Sequence, residues 1–506
     1  MADRLPTWVV GAAILAVLYA GLCKAFLFHN LEYFGSDLYS FLEMSRSWHY
    51  GGRLLQDNVW GDHRAIHNFY LLLAFSPLTI PLGAYGLFLG LVCLDLLAVL
   101  RVASPGSLPW PGRLAVLAGF LSPVAYFLFD HRRWGFHPEL CYPPLALLMA
   151  LDLADGKWRR AIVVGTLVAL VKEDGAVLCA SLLLAYFAGR LVDLRKATAA
   201  ERRKVVVTAL LSLLAVTLLF ALGMVVLLAA GREVASPQAT FTPRLLGSLR
   251  TLDQTLAGQG DPLSRGRLGR GLLGYALVAG LLLLPLGRRF FRGLLLLLVS
   301  ASPLVAVLVV EAGGYGSGTM LWPPRLATLL ALIVACLVFA SGRISGASPF
   351  STAELRPGWG VAPTTALALV SWGLQLPLLA LVGYSPWPRL DAWALLGGQG
   401  YRLSRLPKRE VRFVRCLAER LPAGLPVAAA GDSNPFFHRQ SIVFGRPDAP
   451  GGPLPRLRVV RSDEATAARE GTSCQGPRVD GLTVEVECGL LPLIADCDRV
   501  AEKGPG

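Results

Sequence analysis

The feature that most constrains this chain is the recurrence of apolar runs about 20 residues long. At 1.5 Å per residue, that is the length at which a helix crosses a hydrocarbon layer about 30 Å thick. The first runs from Trp8 to about Phe28, and others follow as far as residue 383. Of 506 residues, 54% are hydrophobic and 16% charged, with a mean hydropathy of +0.53, too apolar for a water-soluble fold of this size. The first run lacks a small-residue cleavage site, so it reads as a transmembrane helix and not as a removable signal. The net charge of +14 does not imply a nucleic-acid partner, because the Lys and Arg residues are scattered at the ends of apolar runs, where they suit membrane topology.

Eleven spans follow from the runs: 8–28, 82–101, 112–129, 141–155, 159–172, 175–190, 205–230, 269–287, 293–311, 325–342 and 361–383. An odd count puts the termini on opposite sides. Under it, "RLVDLRKATAAERRK" (190–204), the group Lys157, Arg159 and Arg160, and "RRFFR" (288–292) fall on one face, which the excess of Lys and Arg in short loops marks as cytoplasmic. The expected location is a cytoplasmic (inner) membrane, with the N-terminus cytoplasmic. The other face then receives the loop 29–81, the "DHRRWGFHPE" loop, the loop 231–268 and the tail.

Residues 1–383 thus form a transmembrane domain, and 384–506 form a small extracytoplasmic α/β domain. The tail is polar and rich in Pro and Gly. "REVRFVRCLAERL" has helical spacing, and "PVAAAGD", "SIVFG", "LRVVRSD" and "LTVEVEC" read as strands. Four of the nine cysteines, Cys416, Cys474, Cys488 and Cys497, lie there. In an oxidising compartment Cys474 and Cys488 would close a short loop, with Cys497 the other partner open to either. The other five lie in or beside apolar spans, as small hydrophobes do.

Charged groups crowd into three places. In "FGSDLYSFLEMSRSWHYGG", Leu38, Phe41, Leu42 and Trp48 recur at helical spacing, Ser36 is a suitable N-cap and Gly51-Gly52 a stop. This predicts an amphipathic helix lying on the membrane surface. Asp37 sits in its first turn, as a cap or as a functional carboxylate. In "WGDHRAIHNFY", His63 and His67 are four apart, half of a metal site if the stretch is helical and interfacial hydrogen-bonding groups otherwise. "FDHRRWGFHPEL" and "VALVKEDGAVL" carry Arg132, Arg133, His137, Glu139, Lys172, Glu173 and Asp174. Arg132 and Arg133 suit phosphate binding, or snorkelling to headgroups. Lys172 suits phosphate binding, or a salt bridge to Glu173 or Asp174. Pro138 suits the first turn of the next helix.

An early loop holding an Asp, then "DHRAIHNFYLLLAFSPL", "FDHRRWGFHPEL" and "VALVKEDGAVL", resembles an uncharacterised family of bacterial and archaeal multi-pass proteins defined by domain of unknown function 2079. The resemblance covers roughly residues 8–345. Phe136-His137-Pro138-Glu139 and Lys172-Glu173-Asp174 match two of its motifs, while Tyr315 stands in "GGYGSGTMLWPP" where a histidine is expected. That family is similar to the GT-C class of membrane glycosyltransferases, which take sugars from polyprenyl-phosphate carriers. The resemblance implies a GT-C-like fold and a catalytic role for Asp37 as base or charge stabiliser.

The residue chemistry is compatible. Transfer from a lipid-phosphate sugar needs a group to take the acceptor proton and cations to hold the phosphate. Asp37 is the candidate base, and His137 a hydrogen-bonding group or proton donor. Glu139 and Asp174 would orient these side chains or bind a divalent metal, Mg or Mn. The expected partners are membrane lipid, a polyprenyl-phosphate-linked sugar donor and an acceptor the sequence does not name. Two other classes compete: a transporter or flippase of a lipid-linked or anionic substrate, and a non-catalytic scaffold presenting the tail.

Overall fold

A computed structural model describes residues 5–29, 37–51, 54–57, 61–65, 67–129, 135–193, 198–229, 262–315, 323–342, 361–381, 409–429, 436–437, 440–442, 455–461, 473–479 and 482–503. It is mostly helical, with a small C-terminal sheet. The membrane part comprises α1 (Thr7–His29), α2 (Asp37–Gly51), α3 (Ser76–Leu82), α4 (Ala84–Ala103), α5 (Trp110–Phe120), α6 (Pro123–Phe129), α7 (Tyr142–Ala154) and α8 (Trp158–Val171). It continues with α9 (Gly175–Asp193), α10 (Ala199–Ala229), α11 (Pro262–Leu283), α12 (Phe290–Tyr315), α13 (Pro323–Ser341) and α14 (Val361–Leu381).

Every one of the eleven expected spans contains a helix. Among the described residues, five helices (α1, α4, α9, α10 and α14) are long and apolar enough to cross a membrane, and six if the bent pair α5–α6 is one span. That pair corrects the single helix expected over 112–129. The axis turns by 42° at Leu121-Ser122, because Pro123 cannot donate to the preceding turn and the Ser122 hydroxyl instead caps α6 through the Ala125 N–H, at 3.3 Å. The short helix α7 and the nineteen-residue α13 form the centre. Nearly every described side chain of α7, and residues 330–340 of α13, are buried, as befits helices apolar all round.

The surface helix expected over the first loop is present as α2, but it is an inner element. Leu38, Tyr39, Phe41, Leu42 and Met44 are buried, whereas Trp48 is half exposed and donates to the Ser76 hydroxyl at 2.9 Å. The chain then forms a two-stranded hairpin, β1 (Gln56–Asp57) and β2 (Gly61–Asp62), and crosses α4 through a 3-10 segment (Tyr70–Phe75) and α3. Two glycines make that crossing possible: a Cβ at Gly86 would meet the Leu78 backbone, and one at Gly90 the Phe75 ring.

In the tail, α15 (Arg409–Arg420) precedes β3 (Pro426–Ala429), β4 (Ser441–Ile442), β5 (Leu457–Arg461), β6 (Ser473–Val479) and β7 (Leu482–Glu487). The helices α16 (Leu491–Ile494) and α17 (Cys497–Lys503) follow. The sheet order is β4-β3-β5-β7-β6, with β3 parallel to β4 and β5 and the remaining pairs antiparallel. The four tail cysteines pair as Cys474–Cys488 across β6–β7 and Cys416–Cys497 between α15 and α17. The five others are in no disulfide.

Two ends of the helical bundle differ in chemistry. At one end Arg101 pairs with Asp152 at 3.0 Å and with Asp155, Lys157 pairs with Asp155, and Arg292 pairs with Asp193 at 2.8 Å. The other end carries α2, the hairpin and the N-termini of α4, α7 and α9. The tail docks there: Phe436 stacks on Phe28 at 4.8 Å, and Arg415 donates to the Tyr85 hydroxyl at 3.1 Å.

Candidate active site

The site is assembled from turns at the second end. Gly175 creates one of them. A Cβ there would collide with the Val168 carbonyl, so only glycine lets α9 start directly against the end of α8. The resulting tight turn presents Lys172, Glu173 and Asp174, and each reaches a different neighbour. A second turn, with Gly135 at φ 61°, leads into Phe136 and His137, and Pro138 opens a 3-10 turn that continues as α7.

Glu139 is 1% exposed and is the hub. One carboxylate oxygen accepts from Lys172 Nζ at 3.1 Å, and the other accepts from His137 Nδ1. Burial alone would raise this carboxyl, but the His137 and Lys172 charges and the hydrogen bond from His137 outweigh it and hold Glu139 well below the ordinary carboxylate range. Lys172 thus has a partner that spacing did not suggest, Glu139. Asp174 instead accepts from the Tyr142 hydroxyl, and Glu173 accepts from His67 Nδ1 at 2.7 Å and from the Asn68 N–H at 3.3 Å. The carboxylates orient neighbouring side chains. Among the described residues no group of three His, Cys, Asp or Glu side chains is placed to hold a metal ion.

The histidine pair is a correction. His63 and His67 do not share a helix face, because the 3-10 turn ends at Ala65 and the chain runs irregularly through Asn68 and Phe69. His63 Nε2 meets Asp57 at 2.8 Å, and the Asp57 carboxylate, wholly buried, also accepts from the Ser40 hydroxyl of α2. His67 turns the other way, to Glu173. A wall of rings separates and fixes these groups. Phe69 lies 5.0 Å from the His67 ring and 6.3 Å from His63, and Phe41 of α2 packs edge-on to Phe69 at 5.3 Å and to His137 at 5.0 Å.

Asp37 stands one helical turn before Phe41, on the same face of α2 and so at the edge of this ensemble. Arg132, Arg133, Ser36 and the side chain of Tyr315 lie outside the described residues, as does the loop 230–261. Six predicted residues, His67, His137, Glu139, Lys172, Glu173 and Asp174, meet at one end of the bundle, and His63 lies behind Phe69 in a separate buried group.

Residue spacing did not point to Tyr142, Asn68 or Asp57. Nor did it single out two charges inside spans. Lys24 of α1 is buried, donates to the Phe129 carbonyl at the end of α6, and lies over the Phe88 and Phe129 rings at 5.5 and 5.1 Å. Asp95, midway along α4, faces a cavity of about 90 Å³ walled by Val17, Leu121, Phe129, Leu140 and Pro143. No family model and no curated protein matches the chain.

Proposed function

We propose that the protein is a membrane glycosyltransferase that moves a sugar from a polyprenyl-phosphate-linked donor to an acceptor. The site would face the outer side of a cytoplasmic membrane, after eleven crossings in a GT-C-like arrangement. The observation that carries this reading is the meeting of two histidine–carboxylate pairs and a lysine from three separate stretches at one end of the bundle. In the His67–Glu173 pair Nδ1 is committed to a carboxylate, which accepts only, so the ring carries its hydrogen on Nδ1 and Nε2 is the nitrogen able to exchange a proton. This is the apparatus of proton transfer.

The roles divide by chemistry. Lys172, held by buried Glu139, supplies a fixed positive charge for the departing phosphate. Asp37, at the start of α2, stabilises positive charge developing at the anomeric carbon. Tyr142 and Asp174 brace the start of α7 against the turn before α9. The sequence resemblance to the uncharacterised family and to GT-C enzymes supports the same direction.

Purified protein in liposomes with synthetic polyprenyl-phosphate mannose or glucose tests the proposal. Wild type is expected to transfer sugar, and Asp37→Ala to lose about 100-fold or more. Equal activity in the two proteins would remove Asp37 from the mechanism, and no transfer by wild type from any such donor would end the enzyme reading.

A second reading, transport of a lipid-linked or anionic substrate, is favoured by Lys24 and Asp95, ionisable side chains within membrane-capable helices. Movement of an unmodified donor across sealed vesicles, lost in Asp95→Asn, would select it.

A further inference from the structure

Within that transfer reaction, on which this inference rests, we infer that His67 is the group that takes the proton of the attacking hydroxyl, with Glu173 as its positioning residue. Among the groups of the cluster, His67 combines three properties a general base needs. Its Nδ1 is fixed to Glu173 at 2.7 Å, which assigns the reactive role to Nε2. About a quarter of its side chain, 27%, is exposed, so an acceptor reaches it. Its ring is held against Phe69, whose neighbour Asn68 anchors the strand of chain in two directions. The Asn68 N–H donates to the second Glu173 oxygen, and its carboxamide donates to the Gly223 carbonyl of α10 at 3.1 Å.

His137 is built differently. Its carboxylate partner is shared with the Lys172 ammonium. His63 is buried behind Phe69 and tied to Asp57. The side chains of His137 and His63 are 17% and 7% exposed, against 27% for His67.

The acceptor O–H proton passes to His67 Nε2 while the acceptor oxygen bonds the anomeric carbon. The bond from that carbon to the phosphate oxygen breaks, and its electron pair leaves with the polyprenyl phosphate. The products are the glycoside, the lipid phosphate and an imidazolium, which returns its proton to water. Burial lowers the His67 pKa from 6.5, and Glu173 and Glu139 oppose that fall while Lys172 adds to it. At neutral pH the ring is therefore unprotonated and ready to accept.

Two readouts on the full-length protein in liposomes test this. Diethyl pyrocarbonate modifies neutral imidazole, and peptide mapping reports the rate at His67 across pH. The expected profile falls below pH 6.5, and Glu173→Gln moves it further toward acid, because the anion favouring the imidazolium is gone. In sugar transfer from polyprenyl-phosphate mannose or glucose, His67→Gln and His67→Asn are each expected to lower kcat about 100-fold with KM little changed. Glu173→Gln should lower it about tenfold and shift the acid limb of the rate profile in the same direction. Monodisperse elution of each variant in detergent establishes that it folds. Full transfer by both His67 variants overturns the inference and leaves the enzyme reading intact. Wild type inert with every donor removes both together. A His67 unmodified at every pH, or a profile indifferent to Glu173→Gln, overturns the inference whatever the activity.

Discussion

Glu139 is the residue whose environment leaves least freedom. It is almost wholly buried, and two positively charged or proton-donating partners converge on it. Deleting one member of such a group strands the others in a medium where an uncompensated charge is expensive, at a cost of about 3–5 kcal/mol. Glu139→Ala is therefore expected to lower the thermal unfolding midpoint in detergent far more than Asp37→Ala, whose side chain is partly exposed. The pH dependence follows from the depressed carboxyl. A group lowered in the folded state contributes stability that is present above its unfolded value of about 4.3 and is lost as pH falls through the folded one. The gap in midpoint between wild type and Glu139→Gln should thus be constant from pH 7 to about pH 5, and narrow only below about pH 4. A gap that already narrows above pH 5 would mean that the interaction being lost is not that of the Glu139 carboxylate.

At the scale of elements, the turn between α8 and α9 shows how a backbone requirement becomes chemistry. Gly175→Ala puts a methyl group into the Val168 carbonyl, and relief requires α9 to shift away from α8. Overpacking of this kind costs about 1–3 kcal/mol, and the displacement would separate Glu173 from His67 and Lys172 from Glu139 together. The variant is expected to remain folded yet lose both the His67 modification profile and transfer. A Gly175→Ala protein with wild-type behaviour in both would show that α9 tolerates the shift. The same element shows what the sequence can and cannot reveal. The long apolar helices were readable because twenty apolar residues leave few alternatives. Among the described residues, however, five or six of the eleven expected spans are long and apolar enough to cross. The Lys-Glu-Asp motif stood out as charge beside an apolar run. Its pairings were not readable: Lys172 reaches across 33 positions to Glu139, and Glu173 across 106 to His67. Such contacts are fixed by packing, which residue spacing does not encode. The β6 strand was missed for another reason. "SCQGPRV" contains Gly and Pro and lacks apolar alternation, and it is in the sheet because β7 pairs with it and a disulfide ties the two strands. Lys24 and Asp95 were passed over because one charge in a long apolar run barely changes its average.

At the scale of the whole molecule, the two ends of the bundle differ. The Arg101–Asp155–Lys157 and Arg292–Asp193 pairs occupy one end of the bundle, and the histidine–carboxylate pairs and the disulfide-bonded tail occupy the other. In the proposed orientation the tail's end faces outward, where disulfides persist, and the short loops rich in lysine and arginine face the cytoplasm. Labelling of native tail cysteines cannot test this, because all four are bonded. Introduced cysteines can, in a background where the exposed Cys93 is replaced by serine. Leu493 of the tail is 42% exposed and Arg160 at the start of α8 is exposed, so neither substitution disturbs packing. In sealed vesicles of outward orientation, a membrane-impermeant maleimide is expected to label Leu493→Cys at once and Arg160→Cys only after permeabilisation. Labelling in the reverse order would put the site on the cytoplasmic side, where the donor would have to be presented from the inner leaflet. Labelling of both without permeabilisation would mean that α8 does not reach the far side, and that the crossings around the short helices α7 and α8 are fewer than eleven spans require.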